Sequence, residues 1–293
     1  MDKGYLDLNS FFKERFGEKV HKLSLTLYAT CPNRDGTLST KGCIFCSENG
    51  SGDFLNCGTL HEQVQLQIKR VKRKHPKAKK FVAYFQNFSN TYGDVAYLES
   101  SYVSLLEFEE IVAISIGTRA DCIHEDILGV LEELSKKIFV YIEIGLQSIH
   151  TKSREWLEIG YSIEIFKWAV NSLKTRGIEV VAHLIFGIPG ESREEMLESV
   201  RFLNSQKIWG VKFHHFYVAK GTALATLYES SPFELLSEEH YMKILIQSIE
   251  TIEADIVVHR LSSDPDKRCL IAPIWSSSKI EFLNQFQKRH VKT

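Results

Sequence analysis

Six short runs of apolar, β-favouring residues recur along the chain, each followed by a charged stretch of helical periodicity, and this alternation limits the fold more than any other feature. The runs are Leu23 to Ala29, Phe81 to Phe85, Ile111 to Ile116, Ile138 to Leu146, Val180 to Phe186 and Val211 to Val218. Helical stretches such as Leu60 to Arg73 and Arg193 to Asn204 flank them. Alternation of this kind predicts βα units around a parallel sheet, an α/β fold. Most runs end in polar or glycine residues, and in parallel folds ligands bind beyond the carboxyl ends of strands. Those ends hold a cysteine-bearing loop, then Gln86 to Asn90, Gly117 to Asp121, Gln147 and Ser148, Gly187 to Glu191, and Lys220 to Thr222. Six such ends predict one curved sheet with its site at that edge.

With 293 residues and 44% hydrophobic content the chain can bury one large core. Residues 1–22 read as a helical lead-in ending near Gly17 and closing one end of the sheet, 23–230 as the core, and 231–293 as a C-terminal extension packed on it. No apolar signal core opens the chain and no run approaches the roughly 18 apolar residues of a membrane span, so no membrane partner is expected and the expected compartment is the cytoplasm. A formal charge of -1 leaves no global electrostatic footprint for nucleic acid. The local exception is KRVKRKHPKAKK at 69–80, with eight lysines or arginines. It reads either as a phosphate-tracking patch or as a solvated helix end.

In a reducing compartment the six cysteines are metal ligands or core residues rather than a disulfide framework. Cys31, Cys43 and Cys46 cluster in CPNRDGTLSTKGCIFC, with Phe45 before the last of them, while Cys57, Cys122 and Cys269 are scattered. Three readings are open on spacing alone. Three thiolates without a fourth suit a four-iron cluster whose remaining iron takes an outside ligand, as activation of S-adenosylmethionine requires. Structural zinc wants four ligands, for which Cys57 is the natural candidate, and gives a zinc-binding interaction module as the reading from another class. Unliganded thiols are the third.

The other candidates also carry two readings each. GIPGE at 187–191 is a strand-to-helix turn in which Gly187 and Gly190 allow a backbone to approach adenine, or an ordinary βα turn. Glu143 and Gln147 lie at one strand end; alternation points Glu143 into the sheet's concave side, where Arg119, Lys212 or His183 would have to pair with it. Of His214 and His215, one faces inward as a proton donor or substrate anchor, or both are core histidines; Lys220 follows in the loop. His259 and Arg260 contact substrate or fix the extension.

Taken in order, CPNRDGTLSTKGCIFC, GTRADC, EIGLQSIH, HLIFGIPGES and KFHHFYVAKGT resemble the radical S-adenosylmethionine superfamily, nearest a bacterial branch related to the Elongator protein 3 family. The resemblance runs from about residue 5 to residue 279. It implies a partial TIM barrel of six βα units, a 4Fe-4S cluster on Cys31, Cys43 and Cys46, and reductive cleavage of S-adenosylmethionine. It makes Phe45, Gln86, Asn90, Thr118, Arg119, Glu143, Gln147, His183, Gly187 and Gly190 candidate cofactor contacts. His214, His215 and Lys220 become the candidate catalytic residues. A one-electron donor such as flavodoxin or ferredoxin is implied, and the Elongator-like branch points to tRNA, at a wobble uridine side chain. A small metabolite or tetrapyrrole is the rival substrate. Relatives commonly space the cysteines as CxxxCxxC, follow the second strand with Gly-Gly-Glu, and carry an arginine and a histidine near Ile159 and Tyr161; this chain departs at each point.

Overall fold

The protein is described here by a computed structural model covering residues 3–48, 50 and 58–290. Its elements in chain order are α1 (Leu8–Phe16), β1 (Val20–Leu25), α2 (Leu60–Lys74), β2 (Lys80–Phe85), α3 (Val95–Ser104), β3 (Ile111–Thr118), α4 (Glu125–Ser135), β4 (Phe139–Gln147), α5 (Thr151–Trp156) and α6 (Ile163–Lys174). They continue with β5 (Glu179–Phe186), α7 (Arg193–Gln206), β6 (Gly210–His215), β7 (Val218–Ala219), α8 (Ala223–Ser230), α9 (Glu238–Thr251), β8 (Val257–Arg260), β9 (Leu270–Ala272) and α10 (Lys279–His290).

Seven strands form one sheet in the order β1-β2-β3-β4-β5-β6-β8, with every neighbouring pair parallel. This is the expected partial barrel, with β1 and β8 as its two edges. The seventh strand is an addition: the short run Val257–Arg260, read as part of the extension, pairs with β6. Boundaries also move. The first strand starts at Val20 and ends at Leu25, and β6 stops at His215, because Val218 and Ala219 turn away to pair antiparallel with β9.

Strand alternation separates two environments. Leu23 and Leu25 of β1 point outward into the main apolar core under the helices, at 0% and 1% exposure, each worth roughly 1.5–3 kcal/mol of burial. Lys22 and Ser24, which alternate with them, line the lumen instead. Polar residues inside a barrel need a floor that keeps bulk water from running through, and α1 supplies it. The helix is capped by the Asp7 carboxylate on the amides of Asn9 and Ser10, and ends at Gly17 with φ 79°. Phe12 packs against Val82, Ala113, Tyr141 and Val181 near the amino ends of β2 to β5, with Phe11, Phe16, Phe139 and Trp209 around it. Just before the helix, Asp7 bridges to Val258 of β8 and the Val258 amide donates to the Leu6 carbonyl at 2.8 Å. The lead-in therefore runs along one edge strand and crosses beneath the barrel toward the other.

Candidate active site

The loop after β1 is tied by its own backbone. Arg34 and Asp35 amides donate to the Cys31 carbonyl at 2.8 and 3.1 Å, Gly42 to Asn33 at 2.6 Å, and Cys46 to Cys43 at 3.0 Å. The Arg34 guanidinium staples the far end by donating to the carbonyls of Cys46 and Ser47. Gly42, with φ 78°, is needed there, since a Cβ would fall 2.9 Å from Arg34 Nε. Asn33 then docks the loop on the barrel by donating to the Glu158 carbonyl at 2.7 Å and reaching Cys43 Sγ at 3.4 Å. All three clustered cysteines line one cavity of about 410 Å³, together with Phe45, Gln86, Thr118, Arg119, Glu143, Gln147, His183, His214 and His215.

The thiols are unequal. Cys43 is lowered to about 7, chiefly by the hydrogen bond from Cys46 and then by the Arg119 charge and Asn33, against burial. Cys46, which gives that hydrogen bond and is half-buried, is pushed up by it and by desolvation, and desolvation also raises Cys31. Arg119 is fixed for its part: it forks onto Asp121 at 2.9 and 2.7 Å, lies 5.2 Å from the Tyr161 ring centroid, and brings Nη1 to 3.9 Å from Cys43 Sγ. Tyr161 donates to the Gly145 carbonyl at 2.6 Å, and buried Arg154 lies under its ring while donating to the carbonyls of Leu146, Ser148 and Tyr161. This is how the chain holds the side of the cavity lined by Ile159 and Tyr161.

At the strand ends, Gln147 is held at φ 67° where the β4–β5 register breaks, an unusual conformation for a residue with a side chain. Its amide lies over Gly145, where a Cβ would come within 2.6 Å of Nε2. The Thr118 hydroxyl pairs with Thr91 at 2.6 Å. Asn90, Gly187, Gly190 and Lys220 are not among the lining residues. Asn90 donates to the carbonyls of Asn87 and Gly117 at 3.0 and 2.9 Å. Gly187 and Gly190 take φ 88° and 84° in the turn, and Leu236 occupies the space beside Gly187, 2.7 Å from where a Cβ would stand. The Lys220 amide donates to the Cys269 carbonyl at 2.7 Å.

Deeper in the lumen, Glu143 is 3% exposed and accepts from Ser115 at 2.8 Å, from His183 Nε2 at 2.9 Å and from Lys212 Nζ. Burial opposes its charge, but Lys212 and His183 override it and hold the carboxyl well below the usual range. Lys212 is lowered to about 8 by burial, with Glu143 pulling upward and Arg260 pressing down, so the pair is ionised at neutral pH. His214 lines the lumen and stacks on His183 at 5.2 Å, whereas His215 packs 4.4 Å from Trp275 and bonds Ser262. Burial depresses both, His215 to about 3, so each imidazole is neutral and serves as a hydrogen-bonding group rather than a stored proton.

Residues 28–203 match the family model described as the Radical SAM superfamily, and residues 208–292 match the Radical_SAM C-terminal domain. The chain belongs to the radical SAM superfamily. It is 36% identical to Bacillus subtilis (strain 168) protein YtqA over 98% of this chain and 89% of that protein. It is 23% identical to the tRNA uridine(34) acetyltransferase of Methanocaldococcus jannaschii over 61% of this chain and 33% of that one. Among solved structures, the archaeal Methanocaldococcus infernus Elp3 with its N-terminus deleted superposes with a TM-score of 0.71 at 18% identity, covering 93% of this chain and 63% of that one, a likeness of fold. As a member of this superfamily the protein is a radical SAM enzyme, and the family implies S-adenosylmethionine and a 4Fe-4S cluster.

Three thiols from one loop on one cavity are a donor set that fits a radical SAM cluster. Among the described residues no three His, Cys, Asp or Glu side chains are grouped to hold one metal ion. A four-iron cluster is a larger body that takes thiolates from a wider ring. Cys57, the fourth ligand of the zinc reading, lies outside the described residues. Cys122 is buried with its thiol raised to about 12 by burial, and Cys269 is exposed. Sequence reasoning missed Lys22, Ser24, Arg34 and Tyr84, which also line the cavity. The signal for the first two was the polar phase of the Lys22-Leu23-Ser24-Leu25 alternation. The basic strip is on the opposite face: α2 ends at Lys74 and leads into the amino end of β2, where Lys72 meets Glu110 and Lys80 bonds the Phe16 carbonyl. Among the described residues no helix is long and apolar enough to cross a membrane.

Proposed function

We propose that this radical SAM enzyme modifies tRNA at the side chain of a wobble uridine, with a 4Fe-4S cluster held by Cys31, Cys43 and Cys46. The observation that carries this reading is the convergence of the three thiols with Arg119 and Gln147 on one cavity at the carboxyl ends of the parallel strands. A cluster held by Cys31, Cys43 and Cys46 would supply the one-electron chemistry for reductive cleavage of S-adenosylmethionine and hydrogen abstraction from substrate.

The chain's own residues do the rest. Arg119, fixed by Asp121 and Tyr161, offsets thiolate charge at Cys43. Gln147 and Thr118 present polar groups at the strand ends for the amino acid and ribose parts of the cofactor. Ile159, Ile185 and Phe216 form apolar wall that keeps water from a reactive intermediate. Glu143 holds His183 and Lys212 in place beneath. A one-electron donor such as flavodoxin or ferredoxin completes the reaction.

Support for tRNA comes from the relative that acts on uridine 34 of tRNA. It is joined by Tyr28, in the loop beyond the carboxyl end of β1, whose ring is 90% exposed and offers a face on which a nucleobase can stack. Anaerobic reconstitution tests the chemistry: the expected product is brown protein that cleaves S-adenosylmethionine on reduction, and colourless protein with stoichiometric zinc would overturn it. Nucleoside mass spectrometry of a deletion strain tests the substrate. Loss or accumulation of one wobble-uridine derivative is expected, and an unchanged profile refutes the tRNA assignment.

A further inference from the structure

Among the described residues the charges lining the cavity do not cancel. Arg119 is matched by Asp121, Glu143 by Lys212, and Asp264 by Lys279 at 2.7 Å, while Arg34 is spent on loop carbonyls. Lys22 and Arg260 remain. Both line the cavity, and among the described residues neither has a carboxylate within ion-pair distance. Lys22 lies over the face of Tyr84, 4.7 Å from its ammonium, and shares that ring with Lys212 at 4.6 Å.

Their placement gives the surplus a location. Lys22 is on β1 and Arg260 on β8, the two edges of the barrel, and Arg260 stands beside Lys212 in the β6–β8 register. Lys22 lies three residues short of the end of β1, so the cations sit deeper than the loop that carries the cysteines. Next to them His214 Nε2 is buried without a hydrogen-bond partner. Lys22 stays open to solvent on the lumen side of β1, where its partial desolvation and then Lys212 and Arg260 lower it against the pull of Glu143, and the same two cations help depress His214. Like charges gathered in a partly desolvated space oppose folding unless something neutralises them in the working state.

We infer that Lys22 and Arg260, backed by Lys212 and His214, form an oxyanion-binding subsite in the barrel lumen that takes a carboxylate or phosphate group of the substrate. The inference rests on the proposed radical chemistry only in treating this cavity as the place where substrate is bound. Two cations from opposite edges clasp an anion between them, with charge-assisted hydrogen bonds from an ammonium and a planar guanidinium. Anchoring an acidic tip in the lumen leaves the remainder of the substrate pointing to the mouth and the cysteine loop, which fixes the atom presented there. The subsite selects substrates that carry such a group and rejects neutral analogues, because the cations would be left uncompensated.

Acetate and inorganic phosphate serve as probes on the reconstituted protein. Acetylation of Lys22 by N-hydroxysuccinimidyl acetate is followed by peptide mass spectrometry, with sodium chloride at equal ionic strength as the screening control and Lys69 as the internal reference. At least one probe is expected to slow Lys22 labelling about tenfold at saturation and leave Lys69 unchanged. Protection by acetate identifies a carboxylate subsite and protection by phosphate a phosphate subsite. Arg260→Gln is expected to weaken the protecting anion about tenfold or more, and Arg260→Lys to recover part of the loss. Absence of protection by either probe in the wild-type protein overturns the inference, as does protection of equal strength in Arg260→Gln. Iron content and S-adenosylmethionine cleavage of the same wild-type sample report separately on the radical reading, so either can fail without the other.

Discussion

Glu143→Gln is the most informative perturbation of the lumen, because its cost depends on pH in a way the structure dictates. Glu143 and Lys212 are 3% and 7% exposed, so solvent screening takes little from their interaction. Removing one partner of a buried pair costs about 3–5 kcal/mol. Lys212 is already down at about 8, and Glu143 is the group that holds it that high. With glutamine in place, the Lys212 ammonium loses its counter-charge and its proton affinity falls further. In the wild type, folded and unfolded chains both carry this proton below about pH 8, so the lysine adds no slope there. In the variant the unfolded chain still binds the proton while the folded chain does not, so stability falls as pH falls. The deficit therefore widens by up to about 1.4 kcal/mol per pH unit below about pH 8. Urea unfolding followed by circular dichroism at several pH values between about 6 and 8 measures it, with wild type and variant in the same reconstituted form. Adding Lys212→Met should abolish the widening and recover part of the loss, since the uncompensated charge is gone. A deficit that stays constant over this range, or a double variant that loses the sum of the two single losses, would refute the coupling.

Four further outcomes are expected. Cys31→Ala, Cys43→Ala and Cys46→Ala should each lose bound iron and visible absorbance, while Cys122→Ala, whose thiol is buried and does not line the cavity, and Cys269→Ala keep both; iron analysis after anaerobic reconstitution decides. Lys22, open to solvent on the lumen side of β1, should still titrate down toward about 8 in a labelling-rate profile against pH, because of partial desolvation and the neighbouring Lys212 and Arg260, and a midpoint above about 10 would show that these cations do not act on it. His214, His215 and His259 are all depressed by burial, so the unfolded chain binds their protons first. Stability should fall as pH drops below about 6.5, with a slope approaching about three protons, readable from urea midpoints. Phe12→Ala, which removes the 2%-exposed centre of the α1 floor, should cost about 3–5 kcal/mol, and a loss under about 1 kcal/mol would mean that α1 does not close the barrel.

Strand existence was legible because parallel strands buried on one face by helices are written as apolar runs that end in polar turns. Val257–Arg260 escaped because four residues carry too little periodicity to separate a strand from a loop, and only its pairing with β6 reveals it. The parity of His214 and His215 could be stated from alternation, and the structure sends the first to the lumen and the second to Trp275. The Glu143 partners were likewise legible as types: a lumen carboxylate must be compensated, and Lys212 and His183 were among the few candidates. What stayed hidden was long-range. Nothing in the sequence says that Leu236, 49 positions beyond Gly187, fills the space beside that glycine, or that Arg34 folds back on the carbonyls of Cys46 and Ser47. Lys22 drew no role from the sequence, because a polar phase beside an apolar one is the ordinary signature of a sheet with one wet face.

That wet face is the barrel's inside, which inverts the usual arrangement in which branched apolar side chains fill the interior in layers. The inversion has a structural requirement. A lumen with Lys22, Glu143, His183, Lys212 and Arg260 cannot supply the packing that holds strands together, so cohesion must come from the outer core and from the α1 floor. It also has an electrostatic consequence. Near the mouth the positive charge is matched: Arg119 answers Asp121 and reaches toward Cys43, and Tyr161, with Arg154 under its ring, lies against it. Toward the edge strands it is in excess, since among the described residues Lys22 and Arg260 both line the cavity and neither has a carboxylate within ion-pair distance. A single cavity therefore divides by charge balance into a compensated half suited to the thiolates and cofactor, and an uncompensated half whose missing negative charge has to be brought by what it binds.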